Sequence, residues 1–64
     1  MIKTVIATGE MVVVFDERGE QIPRYQGFYE QVREKILRDA SKDTVFAHGI
    51  DCSGDLIKVS RENW

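Results

Sequence analysis

One stretch, Arg24 to Ser41 (RYQGFYEQVREKILRDAS), constrains the fold more than any other, because Tyr25, Phe28, Tyr29, Val32, Ile36, Leu37 and Ala40 recur at helical spacing. The spacing predicts a single amphipathic helix with Phe28, Val32 and Ile36 buried. Advancing each residue by about 100° sorts the remaining surface: Arg24, Lys35, Arg38 and Lys42 fall near one line, and Glu30 and Glu34 lie on the opposite flank. Gly27 is the irregular residue in this pattern. A glycine inside a helix costs about 1 kcal/mol relative to alanine, so either the first turn departs from helix or something packs closely against it.

On both sides of this stretch Val, Ile and Phe alternate with period two, which predicts short strands. Ile2–Thr8 and Met11–Phe15 read as a hairpin closed at Gly9, and the Asp16-Glu17-Arg18-Gly19 turn leads to a short third strand, Glu20–Ile22. Pro23 then marks the change from strand to helix. Beyond Asp43, residues 44–51 and 55–60 read as a last hairpin turning through Ser53-Gly54. The tail Arg61-Glu62-Asn63-Trp64 carries no pattern, although an aromatic end can fold back on the body. The expected fold is therefore a single α+β domain of order ββ, short β, α, ββ. It consists of a small antiparallel sheet with the helix packed on one face.

Strand parity divides the apolar residues into two sets, since a two-residue loop, whether Thr8-Gly9 or Gly9-Glu10, sets even positions of the first strand beside odd positions of the second and leaves Val5, Ala7, Val12 and Val14 together on the other side. The larger set, Ile6, Met11, Val13, Phe15, Phe46, Ile50, Ile57 and Val59, is assigned to the helix. That leaves Val5, Ala7, Val12, Val14, Val45, Ala47 and Leu56 uncovered, where a solvated sheet face would carry Thr, Lys, Glu or Gln. A chain of 64 residues has a small core and draws readily on a partner for further burial. The expectation is a homodimer, or a complex with a partner protein, through that second face.

Chemistry is sparse by comparison. His48, Asp51 and Cys52 are too few for a zinc site, and an acidic neighbour raises a thiol's pKa rather than activating it. Asp16, Glu17 and Glu20 do not have the alternate spacing of a calcium loop, and the scattered glycines form no phosphate cradle. No cofactor, metal or catalytic residue is assigned, and the chain is read as a non-enzymatic interaction or regulatory module. The alternative is nucleic-acid binding through Arg24, Lys35, Arg38 and Lys42. Against it stands a net charge of −2, from 9 basic and 11 acidic residues. The single cysteine excludes an internal disulfide and, with no membrane-length apolar run or secretory leader, points to a soluble cytoplasmic protein.

Overall fold

The computed structural model describes residues Met1–Trp64 as an α+β fold, a five-stranded sheet with one helix packed on it. Strands β1 (Ile2–Thr8) and β2 (Met11–Asp16) form the expected hairpin, with Thr8 opposite Met11 and Gly9 at φ +62° in the two-residue turn. That left-handed backbone suits the right-handed twist of the strands and is open to glycine at little steric cost. The next turn is built by Asp16, whose Oδ1 accepts hydrogen bonds from the amides of Arg18 and Glu20, both at 2.9 Å. A 3-10 turn at Pro23–Tyr25 follows, then a two-residue strand β3 (Gly27–Phe28), helix α1 (Tyr29–Asp39) and the hairpin of β4 (Val45–Ile50) and β5 (Leu56–Val59). A second 3-10 turn, Arg61–Asn63, leads to Trp64.

The strand order is β3-β2-β1-β4-β5, and β4 runs parallel to β1. The sheet is thus mixed, which corrects the all-antiparallel expectation. Because β3 is antiparallel to β2, and β2 to β1, β3 also runs parallel to β4. The helix carries the chain from one to the other, crossing over β2 and β1, and parallel strands require such a crossover. Thr44 holds the entry to β4: its Oγ1 donates to the carbonyl of Ile2 at 2.6 Å.

The helix is shorter than its apolar spacing implied. Phe28 sits in an extended conformation as its N-cap, and Tyr29 donates its amide to the Glu10 carbonyl at 2.6 Å. The helix therefore starts on the turn of the first hairpin. Pairing of Phe28 with Met11 keeps it in the sheet, 53% exposed, whereas Val32 and Ile36 are buried as expected. Gly27 explains the irregularity: its φ of +144° lies in a region that side chains rarely adopt, at the bend from 3-10 turn to β3. A Cβ there would have room, meeting only Val32 Cγ1 at 3.7 Å, so the cost of Gly27→Ala is backbone strain. We expect a loss of about 1–3 kcal/mol, measured by urea denaturation.

The helix takes the face opposite to the one expected in the first hairpin. Val5, Ala7, Val12 and Val14 are buried beneath it with Val32, Ile36 and Tyr25, so these four are core residues and not an interface. Register explains the difference. Val5 lies beside Phe46 and Ile6 beside Ala47, which joins the smaller residues of the first hairpin to the larger ones of the second. The short third strand expected at Glu20–Ile22 does not form: that stretch makes only an isolated bridge, and the third strand of the sheet is Gly27–Phe28. Gln21 bridges Phe15, so Ile22 turns to the helix side and packs on the core. At one sheet edge the helix gives way to Trp64, which is 3% exposed against Phe46 and Tyr29 with ring centroids 5.1 Å away in each case.

Candidate functional site

The face of the sheet away from the helix has no cover within the chain. In β1 and β2 the pairs Thr4–Phe15, Ile6–Val13 and Thr8–Met11 stand on it, and Phe28 extends it through its pairing with Met11. Val45 and Ala47 join it beside Thr4 and Ile6. Lys58 follows through Ala47, Leu56 by alternation with Lys58, and Ile50 by pairing with Leu56. A register shift between Ala47 and Ile50, with Gly49 at φ +78°, brings Ile50 to this side. Of the uncovered set read from the sequence, Val45, Ala47 and Leu56 are on this face, and Ile6, Met11, Val13, Phe15 and Ile50 were assigned to the wrong one.

Exposure separates the centre of this face from its ends. Ile6, Val13, Phe15, Val45 and Leu56 are half-buried by their neighbours, and Ala47 is fully buried. Met11, Phe28 and Ile50 are 45%, 53% and 57% exposed. Thr4, Thr8, Gln21 and Lys58 are the polar residues that pairing places here. Beyond β3 the outer side of β2 is closed by the loop that follows β2: Gln26 Oε1 accepts from the Val14 amide at 3.1 Å, and Ile22 donates to the Val14 carbonyl at 2.9 Å. Such capping of ladder groups blocks strand addition at that edge, leaving the apolar face as the larger uncovered surface.

A pocket of about 250 Å³ opens at the edge marked by Phe28, lined by Gly9, Glu10, Phe28, Tyr29, Glu30 and Gln31. Its lining includes two glutamates, two aromatic residues and no basic residue, and Tyr29, Glu30 and Gln31 are the first residues of α1. Neither Glu10 nor Glu30 forms an ion pair within the chain, whose two ion pairs are Met1–Glu17 and Arg38–Asp39.

The basic line is partly assembled around Tyr25. Arg24 lies over the Tyr25 ring at 5.0 Å, while Lys35 Nζ stands 5.8 Å from the same centroid and donates to the Arg24 carbonyl at 2.7 Å. Tyr25 donates its hydroxyl to Asp39 at 2.6 Å, and Asp39 pairs with Arg38 at 3.1 Å. Three of the four predicted cations are thus gathered and engaged within the chain. Lys42 is exposed beyond the helix and takes no part in this cluster.

These contacts shift titrations. The Arg38 and Tyr25 hydrogen bonds hold the Asp39 carboxyl below its usual value, and backbone amides of Glu20 and Arg18 do the same for Asp16. The bond to Asp39 raises the Tyr25 hydroxyl. A depressed carboxyl means that the unfolded chain binds the proton more tightly, so this stabilisation is present above the unfolded pKa of about 3.9 and is lost as pH falls through the folded values. The tyrosine acts in the opposite direction, its contribution present below pH ~10 and lost as pH rises through the folded value. We expect the melting temperature to fall below about pH 4, with Asp39→Asn flattening that acid limb in a pH series of thermal melts.

His48 is exposed and its Nε2 lies 3.2 Å from the Asn63 carbonyl, while Cys52 is an exposed thiol in the β4–β5 turn. No three His, Cys, Asp or Glu side chains are grouped to hold a metal ion, and no helix is long and apolar enough to cross a membrane. Comparison with protein-family models, curated proteins and solved structures found no match to the chain.

Proposed function

We propose that the protein is a small, non-enzymatic interaction module that associates through the uncovered sheet face, with a second copy of itself as the occupant. The observation that supports this reading is the apolar character of that face, on which Ile6, Val13, Phe15, Val45 and Leu56 form the centre. An antiparallel or mixed sheet with a solvated side ordinarily alternates apolar residues with polar ones, and contiguous apolar patches of several hundred Å² mark interaction sites. Five strands about 4.8 Å apart, the longest roughly 20 Å and β3 and β5 shorter, give a face on the order of 400 Å² in projection. Two such faces give about 800 Å² in projection, in the range of weak, transient contacts below ~1,200 Å². A two-fold contact is the commonest way for one patch to serve as its own complement. Cytoplasmic placement fits a chain with one unpaired thiol.

Sedimentation velocity across about 1–100 µM tests the proposal, that range covering the affinities of modest interfaces. Concentration-dependent movement from monomer to dimer is expected, and a monomer at every concentration would remove it. Binding of a nucleic acid at Arg24, Lys35 and Arg38 is the second reading, supported by their convergence on Tyr25. It predicts steep weakening with salt, which an apolar contact does not show.

A further inference from the structure

We propose that two copies of the chain also pair antiparallel along their β5 strands, about a two-fold axis at Ile57, which joins their sheets edge to edge. This contact uses none of the open face and is independent of the association proposed above. β5 is the outermost strand, with β4 as its only neighbour in the sheet. At the opposite edge, β3 and the bonds of Gln26 and Ile22 to Val14 close β2. No segment covers β5 in that way, because the chain after it turns to the helix side, where Trp64 packs on Phe46.

The β4–β5 turn shows which groups β5 leaves free. Asp51 donates its amide to the Asp55 carbonyl at 2.8 Å, and its Oδ1 accepts from the Asp55 amide at 3.0 Å, so both main-chain groups of Asp55 face β4. Successive residues of a strand alternate in this respect. Ile57 and Val59 therefore also turn inward, and Leu56 and Lys58 direct their N–H and C=O groups to solvent. A strand edge of this kind is a template for another strand.

A second β5 is self-complementary there. With the axis at Ile57, Leu56 lies opposite the partner's Lys58, and because both face outward they exchange a pair of main-chain hydrogen bonds on each side of the axis. An axis at Lys58 would instead set the two lysines directly opposite each other, which is destabilising. Charge thus selects the first register. Leu56 and Lys58 stand on the open face, so Ile57 points to the helix side, where it is 45% exposed beyond the reach of α1. At the axis the two Ile57 side chains form a non-hydrogen-bonded pair, the closer of the two kinds, and cover each other. Each copy has one such edge, so the pairing closes at two chains. With four residues in β5 the contact is small, and a dissociation constant on the order of 0.1–1 mM is expected.

Amide spectra recorded from about 20 µM to 1 mM bracket that affinity and test the pairing. The Leu56 and Lys58 amide protons are expected to move downfield as concentration rises, while the Ile57 amide, already bonded to β4, stays in place. The same shifts are expected in Val13→Lys, whose substitution lies on the open face and leaves β5 untouched. In a mixture of labelled and unlabelled chains, isotope-filtered NOEs should join Leu56 of one copy to Lys58 of the other. Ile57→Lys sets two lysines across the axis and should weaken the pairing at least about tenfold. Lys58→Pro removes an outward donor, a change that edge strands accommodate, and should suppress the Leu56 shift. Circular dichroism accompanies both variants to show that the fold persists. Leu56 and Lys58 amides that stay unchanged up to 1 mM overturn the pairing. NOEs between Lys58 and the partner's Lys58, or undiminished pairing of a folded Ile57→Lys, overturn the axis at Ile57.

Discussion

Trp64→Ala is expected to lower the thermal midpoint by roughly 15–30 °C, or to leave the chain unfolded at 37 °C, because large-to-small changes at a buried tryptophan cost about 3–5 kcal/mol. A chain of this length has only about 3–10 kcal/mol in total. Trp64 is 3% exposed, and its ring covers Phe46 on β4, which α1 leaves open. Its Nε1 donates to the Ala47 carbonyl at 2.9 Å, while Tyr29 donates its hydroxyl to the Trp64 carbonyl. One residue thus ties the second hairpin to the start of the helix. Trp64→Phe separates the contributions: it keeps most of the ring contact and leaves the Ala47 acceptor to find another donor, for a loss of about 1 kcal/mol. Equal losses for the two variants in calorimetry would mean that the hydrogen bond, and not the packing, carries the stability.

Local signals in the sequence were sufficient for the class of fold and insufficient for its assembly. Alternation and a glycine turn specify the first hairpin and the face that Ile6 shares with Val13, and the spacing of Val32 and Ile36 identifies the helix and its buried side. What alternation cannot say is which of two apolar faces the helix takes. That follows from strand order and direction, since crossovers between parallel strands share one hand, and β1 pairs with β4 across some 40 residues with no local mark. Two register shifts add to the difficulty. One beside Lys3 puts Ile2 on the helix side with Val5, and one at His48–Gly49 moves Ile50 to the open side. Phe28 had the right spacing for the helix but lies one residue too early, held in β3. Trp64 had no periodic neighbours to reveal it, and only its size and hydrophobicity in a polar tail could have raised the question. The acidic pocket joins Gly9-Glu10 to Glu30-Gln31, two segments brought together by the pairing of Met11 with Phe28 and by the Tyr29 amide's bond to the Glu10 carbonyl.

Adjacent valines on β2 should give opposite outcomes when each is replaced by lysine. Val14 is fully buried under the helix, so Val14→Lys places an ammonium in a core with no partner for it, at a cost of several kcal/mol, and the chain should lose its helical circular dichroism. Val13 stands beside Ile6 on the open face, where its side chain ends in solvent in the isolated protomer. Val13→Lys should therefore fold, with a melting temperature close to that of the isolated parent, and sediment as a monomer at concentrations where the proposed dimer of the parent is expected. A lysine at the centre of a dehydrated contact weakens it by about a hundredfold or more, since two unpaired charges per dimer must be buried. The comparison controls for side-chain size, charge and strand propensity, because both positions lie on one strand and receive the same residue. Unfolding of Val13→Lys together with a folded Val14→Lys would exchange the two faces of the sheet. A folded Val13→Lys that still dimerises would leave the sheet as described and take the association away from its open face.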